Sequence, residues 1–282
     1  NDGWLVEEEG FVHVKELTGL DPSTTYYYQV GNGIRRFEEI RQTKTAPARG
    51  SNFRLAIASD FHDNSGQVWE KMVPQVVQQA PDLFIHLGDI VNRGDTRPWN
   101  SSFFTPSEPL LNRIPMIGAV GNHETGDKPS NGPTTYYDYF SSFSHGYIDG
   151  AEGKDPRGES YYAMDYGDVK IISLNLNGDE SSPALDSNSQ QMVWLDNQIQ
   201  NADSKWIFII SHVSVYSTGY HGQWSADKKT SVAPILEKHA ANGKHIIFFS
   251  GNCHSFEHLY KSGVHYVRPS VAASNIRDQY NM

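Results

Sequence analysis

A chain of 282 residues can bury one large core, or one core with a small module beside it. Its residues, 38% hydrophobic and 12% aromatic, contain no uninterrupted apolar run near the roughly 18 residues of a membrane-spanning helix, so no membrane span is expected. A net charge of −10 argues against the basic face that binding a nucleic-acid duplex requires.

The single cysteine, Cys253, excludes an internal disulfide framework. The chain starts at Asn1 with neither Met nor a cleavable apolar segment, which leads us to expect a processed or trimmed protein, secreted or periplasmic. Asn100-Ser101-Ser102 is a glycosylation sequon that matters only on a eukaryotic secretory route; a chance triplet in a loop is the plainer reading.

Residues 1–47 alternate with period two through Phe11-Val12-His13-Val14, Thr25-Tyr26-Tyr27-Tyr28 and Arg36-Phe37-Glu38-Glu39-Ile40, which predicts strands joined by Gly- and Pro-containing turns. Residues 17–28 resemble the segment before the tyrosine corner of fibronectin type III-like sandwiches. Too few strands are present to close a sandwich, so residues 1–47 are expected to form a partial β module leaning on a larger domain over 48–282. Residues 45–51 read as the linker.

From Phe53 onward, apolar strands alternate with helical stretches, the pattern of an α/β fold with crossover connections. The run 53–59 stops at Asp60-Phe61-His62, the run 82–87 at Gly88-Asp89 with Asn92 and Arg93 close behind, and the run 114–120 at Gly121-Asn122-His123-Glu124. Val68, Met72, Val76 and Val77 predict a helix over 67–79. Residues 125–159, rich in Gly, Pro, Ser and Tyr, read as a functional lid or mobile loop. A hairpin around Tyr166-Gly167-Asp168 interrupts the alternation and implies a second, mixed sheet. Helices over 190–200, with an N-cap from 186–189, and over 231–241 accompany strands 206–211 and 245–250. Those strands end at His212 and at Gly251-Asn252-Cys253-His254. Strand after strand delivers Asp, Asn or His at its C-terminal end, where open α/β sheets place their sites.

The series Asp-x-His, Gly-Asp-x-x-Asn, Gly-Asn-His-Glu, a lone His and Gly-x-x-His, in this order, resembles the calcineurin-like metallophosphoesterases, and within them the purple acid phosphatase-like branch, over residues 53–275. The resemblance implies an α/β, four-layer α/β/β/α sandwich preceded by a fibronectin type III-like module. It implies two divalent or trivalent metal ions, of Fe, Zn or Mn, that activate water against a phosphoester. Carried over residue by residue, Asp60, His62 and His254 would hold the first metal, Asp89 would bridge, and Asn122, His212 and Asn252 would hold the second. Asn252 stands where the family has His, and an amide is the poorer ligand for zinc, iron or manganese, so a weakened or empty second site is expected. An engineered inactivation, a natural variant with altered metal choice and a pseudoenzyme are the open origins; the otherwise intact ligand set favours the first.

By the same resemblance His123 would contact the phosphate or protonate the leaving oxygen, with Asn92 where many relatives carry an orienting carboxylate. True purple acid phosphatases place a Tyr ligand at the position of Asn92 and lack the His of Asp-x-His, so no tyrosinate-to-iron colour is expected. Asn122, His123, Arg93, Arg268, Tyr216 and His221 are candidates for substrate contact; guanidinium matches phosphate bidentately, and a structural salt bridge is the rival role for either arginine. His86 and His239 are assigned to structure, Asp63 to orienting His62 or capping a turn, and Tyr136-Tyr137, Tyr161-Tyr162 and Trp224 to pocket lining or packing. The expected function is a phosphomonoesterase acting on a phosphorylated small molecule. The alternatives are a phosphodiesterase or nucleotidase, and a non-catalytic metal-binding or structural protein.

Overall fold

The N-terminal residues form two antiparallel ribbons, β1 (Gly3–Val6) with β2 (Gly10–His13), and β3 (Thr25–Tyr28) with β4 (Arg41–Lys44). The computed structural model describes residues 3–6, 10–31, 35–36, 39–62, 67–92, 99–125, 134–140, 160–178, 184–219 and 226–269. Asp63, Arg93, His221, Trp224 and much of the 125–159 segment lie outside the described residues. Of the strand expected over 36–40, Arg36 bridges Gly31, while Phe37 and Glu38 lie outside the described residues; the partner of β3 is β4, at Arg41–Lys44. A two-stranded ribbon is marginal alone. This one is tied down: Tyr28 Oη donates to the Asn112 carbonyl at 3.2 Å, Arg41 pairs with Glu108 at 3.1 Å, and Lys44 pairs with Asp82 at 3.0 Å.

Beyond the ribbons the elements run β5 (Leu55–Ala58), α1 (Gln67–Gln78), β6 (Leu83–His86), a π-helical turn (Trp99–Phe104), α2 (Thr105–Leu111), β7 (Met116–Gly118), α3 (Asn122–Thr125) and α4 (Thr134–Tyr139). There follow β8 (Tyr162–Tyr166), β9 (Val169–Leu174), α5 (Gln190–Gln200), β10 (Trp206–Ser211), α6 (Ala226–Ala241), β11 (His245–Ser250), β12 (Phe256–Lys261) and β13 (Val264–Pro269). β5, β6 and β7 form a parallel three-stranded sheet. The other sheet has the order β12-β13-β11-β10-β9-β8, with antiparallel edge strands β12 and β8 around a parallel centre.

Side chains alternate across each strand, and this period fixes the layers. Leu83 and Ile85 of β6 and Ile117 of β7 meet Ile171 of β9 and Ile210 of β10 in a core between the sheets. The opposite face of β6 gives Phe84 to a core with Trp69 and Val73 of α1 and Leu110 of α2. Ile207 and Ile209 of β10, turned the other way from Ile210, pack on Met192, Leu195 and Ile199 of α5 and on Val232 and Leu236 of α6. The three cores stack the chain as α/β/β/α. Burying one such aliphatic side chain is worth about 1.5–3 kcal/mol, which is why the pattern overrides weak local propensities.

Some of the local reading needs revision. α6 begins at Ala226, five residues before the expected start at Ser231; the Ser231 hydroxyl donates to the Asp227 carbonyl at 2.9 Å, one turn back, and so sits inside the helix instead of capping it. Before α5, Ser189 occupies the N-cap without a side-chain cap bond, while Asp186 accepts from the Asn188 amide at 3.0 Å in a local turn. α2, the π-helical turn and the β12–β13 hairpin carry no expectation from the sequence, and α4 falls inside the segment expected to be loop. No helix among the described residues is long and apolar enough to cross a membrane.

Candidate metal centre

The C-terminal ends of β5, β6, β7, β10 and β11 all lie on one edge of the sandwich, and each opens into a tight turn bearing a candidate ligand. Asp60, Asp89, Asn252 and His254 adopt positive φ, at 56°, 54°, 69° and 49°. For residues with a Cβ such backbone costs of the order of 1–3 kcal/mol and persists only where the surroundings over-determine it. Here they do. Asp60 N donates to the Gly88 carbonyl at 3.1 Å, and Phe61 N and His62 N donate to the Asp89 carbonyl at 2.7 and 3.1 Å, which zips the β5 and β6 turns together. The glycines of the motifs answer a demand for space. A Cβ on Gly88 would lie 2.7 Å from Gly121 N and 2.8 Å from His212 Nδ1, and one on Gly121 would collide with Asp89.

Asp89 stands at the middle of the cluster, buried, with Oδ2 at 3.1 Å from His212 Nε2, 3.6 Å from His62 Nε2 and 3.8 Å from His123 Nε2. On one side His254 Nε2 lies 3.3 Å from Asp60 Oδ1 and 3.3 Å from His62 Nε2. On the other, His212 Nε2 lies 3.0 Å from Asn122 Oδ1, and His212 Nδ1 donates to the Leu87 carbonyl at 2.8 Å, a bond that fixes the ring so that Nε2, on giving up its proton when a cation arrives, could act as a ligand. The Asn252 amide nitrogen of the backbone donates to Asp60 Oδ2 at 3.2 Å, while its side-chain Nδ2 is buried without a hydrogen-bond partner. Turning that amide over would point Oδ1 into the same space, where a cation could satisfy it.

The donor set fits metal ions. Ligand atoms of Asp60, His62 and His254 lie within 4.8 Å of one another, as do those of His62, Asp89 and His123, and those of Asp60, Asp89 and His212. Asp60 and Asp89 are buried anions, and carboxylates in such places need nearby positive charge. Burial alone would raise the Asp89 carboxyl, but the His212 charge and hydrogen bond hold it well below the usual carboxylate range. Burial likewise works against His212 protonation, and the Asp89 charge overrides it, so that His212 sits above the ordinary histidine value. Burial holds His62 below its ordinary value. His123, although burial opposes its protonation, is raised by Asp89. Without a cation, imidazolium supplies the counter-charge that the two aspartates need.

His123 is oriented differently from the expectation: its Nδ1 lies 2.9 Å from the backbone carbonyl of Asn92, so a main-chain group does the orienting. Glu124 is the residue that sequence reasoning passed over. Its Oε2 accepts from Asp89 N at 2.9 Å and Gly121 N at 2.8 Å, and its Oε1 from Ile90 N at 2.8 Å and Val91 N at 3.2 Å. Burial and the Asp89 charge push its carboxyl up to about 7, against the amide donors that hold the anion. The available signal was an acid in a Gly-flanked turn too tight to let it reach solvent.

The remaining candidates sit apart from Asp89. Tyr216 stacks edge-on against Tyr266 at 4.9 Å, and its hydroxyl donates to Glu237 at 3.3 Å and accepts from Lys261 Nζ at 2.8 Å. Arg268 is buried in an ion pair with Glu257 at 3.0 Å. His86 is buried behind the β6 turn, where burial takes it down to about 3, and His239 pairs with Asp196 at 2.7 Å. Tyr136 and Tyr137 are core residues beside α1 and α2, and Tyr162 Oη donates to the Gly118 carbonyl at 2.8 Å.

A four-layer sandwich whose strand ends converge on carboxylate, amide and imidazole groups is the architecture of a metallophosphoesterase. The model of the calcineurin-like phosphoesterase family matches residues 53–249, and the chain belongs to that family. Within it the chain is similar to purple acid phosphatase 21 of Arabidopsis thaliana, 25% identical over 257 residues that make up 88% of this chain and 53% of that protein. It is similar also to the probable inactive purple acid phosphatase 27 of the same plant, 25% identical, covering 90% of this chain and 44% of that protein. Among solved structures, a purple acid phosphatase from yellow lupin seeds superposes with a TM-score of 0.72 at 17% identity, covering 93% of this chain and 53% of that one. These likenesses put the chain on the purple acid phosphatase-like branch, and it spans about half the length of the curated relatives it matches.

Proposed function

We propose that this chain is a metal-dependent phosphoester hydrolase, in the first place a phosphomonoesterase acting on a phosphorylated small molecule. The observation that carries the reading is the Asp89 carboxylate, buried and within 3.8 Å of imidazole nitrogens delivered by separate strand ends. Asp60, His62 and His254 would hold one cation, Asn122, His212 and Asn252 the other, and Asp89 would serve both. When bound, a pair of Fe, Zn or Mn ions supplies Lewis acidity at the phosphoryl oxygens and acidifies water.

The protein's own groups do the rest. The zipped β5 and β6 turns and the Glu124 brace hold Asp89 in place before substrate arrives, so no reorganisation is needed as charge develops. His123, raised by Asp89 and oriented through Nδ1 by the Asn92 carbonyl, keeps Nε2 directed at the cluster, where it can donate a hydrogen bond to phosphate or a proton to the leaving oxygen. Asn122 joins the ligand set through Oδ1, and Arg93 and His221 remain candidates for substrate contact within this reading. Residues 1–47 belong to it as a partial fibronectin type III-like β module in front of a catalytic domain over 48–282. Of the secreted or periplasmic setting expected, the exposed Asn100 of the sequon supports only the secreted one, on a eukaryotic route.

The second reading is a non-catalytic metal-binding protein, favoured by Asn252 and by similarity to a relative named as probable inactive. Elemental analysis of the purified chain, paired with turnover of p-nitrophenyl phosphate and bis-p-nitrophenyl phosphate, separates the readings. Monoester hydrolysis that chelation abolishes supports the first, and preference for the diester replaces it with a phosphodiesterase. A tightly held ion without hydrolysis, and no gain on Asn252→His, favours the second.

A further inference from the structure

Arg268 and Glu257 face each other across the β12–β13 hairpin, the two side chains in register and both buried. Their contacts run to two other places in the chain. From Arg268, Nε donates to the Ser255 carbonyl at 2.6 Å, Nη2 to Ser255 Oγ at 2.9 Å and Nη1 to Ser217 Oγ at 2.7 Å. Glu257 Oε1 accepts from Thr218 N at 3.0 Å and from Thr218 Oγ1 at 2.5 Å, while Oε2 takes the guanidinium at 3.0 Å. Ser217 and Thr218 belong to the loop that leaves His212; Ser255 directly follows His254. Between them Cys253 Sγ lies 3.5 Å from Ser217 Oγ.

We propose that the Glu257–Arg268 pair is a positioning clamp that fixes the loop after β10 against the loop after β11, and so sets His212 relative to Asn252 and His254. Neither residue touches Asp60, Asp89 or the ligand atoms; they act through the loops. The inference rests on the metal-centre reading and extends it. A buried ion pair seldom adds net stability over apolar residues of the same volume, because desolvating two charges consumes the Coulombic gain. Its retention here is accounted for by geometry: a planar fork reaches two loops at fixed angles, which an apolar contact cannot do.

The test separates stability from placement. Arg268→Lys keeps the charge and loses the fork, while the double variant Glu257→Leu/Arg268→Met removes both charges together. For each full-length variant, thermal melting and Zn²⁺ affinity, by competition with a chromogenic chelator, are measured beside the parent chain. The clamp predicts that Arg268→Lys folds but melts below the parent, because Ser255 and Ser217 lose guanidinium donors. The double variant melts above a single Arg268→Met, measured beside it, which leaves Glu257 buried and unpaired. Zn²⁺ affinity is lower by about 10–100-fold in both Arg268→Lys and the double variant, the scale of losing a group that orients ligands. Parent-like Zn²⁺ affinity in either folded variant overturns the clamp. A parent chain that binds no Zn²⁺ at all sinks the metal-centre reading instead.

Discussion

The two halves of the cluster are built from the same kinds of turn and are not equally equipped. Around Asp60 the donors are a carboxylate and the imidazoles of His62 and His254, already within hydrogen-bond or ion-pair range of one another. Around His212 the donors are one imidazole and two amides, Asn122 and Asn252, one of them with a buried nitrogen that has no partner. Charge and softness therefore favour the first half for any first-row cation, and the second half draws its negative charge from the shared Asp89 and from Asp60, whose ligand atoms lie within 4.8 Å of each other and of His212. The lesson is that backbone architecture can be complete while ligand chemistry is not.

That contrast can be broken at its shared member. Asp89→Ala should strip both halves: elemental analysis finds no stoichiometric ion, and any phosphatase activity falls by at least about 10³-fold, the scale of removing one preorganised electrostatic group. Retention of one tightly held ion would show that the Asp60 half stands without the bridge. Next in size is His123→Ala, expected to lower kcat by about 10²–10⁴-fold while leaving metal content unchanged, because His123 serves the reacting atoms rather than either cation. A loss of metal in that variant would reassign it as a ligand.

Asn252→His sharpens the contrast from the other direction. It should raise occupancy of the second ion, seen as a second phase in a Zn²⁺ titration, with affinity stronger by about tenfold, which corresponds to 1.4 kcal/mol. An unchanged titration would mean that the amide already ligates. The smallest effect is expected for Glu124→Gln. The new amide nitrogen confronts backbone donors that Oε1 or Oε2 now satisfies, at a cost of about 1–3 kcal/mol read as a lower denaturation midpoint. Because Glu124 braces the Asp89 turn, both halves should weaken together; weakening of one alone would show that the brace serves only that side.

The sandwich and the convergence of ligands were legible in the sequence because strands buried on both sides read as apolar runs, and a polar group immediately after such a run has few reasons to be there. That signal marks the turns after residues 59, 87, 120, 211 and 250. Which of their groups, Asp60, His62, Asp89, Asn122, His212, Asn252 and His254, are candidate ligands, and the four-layer stacking, are what the family resemblance implies. What was hidden depends on partners distant in the chain. Glu124 works by accepting from the amides of residues 89–91 and Arg268 by reaching Ser217 and Ser255; the tight turn after Gly121 hints that Glu124 is buried, but neither neighbourhood tells which distant groups these side chains meet. His123 illustrates a different limit: Asn92 orients it with a carbonyl that every residue type possesses, so the side chain at 92 was the wrong place to look. The β12–β13 hairpin escaped notice because its exposed face carries Phe256, His258 and Tyr260, which blur the expected polar-apolar alternation. α6 starts before 231 because residues 226–230 are polar apart from Ala226 and supply no apolar spacing to read.

The left-handed backbone at residues 60, 89 and 252 has an evolutionary and practical corollary. Glycine would relax each of these turns, so a campaign that selects only for heat resistance should drift toward Asp60→Gly, Asp89→Gly and Asn252→Gly, and each step would delete a donor. Robustness and cation capture therefore pull the same codons in opposite directions, and variants hardened without monitoring their ion content would emerge as tougher and empty shells.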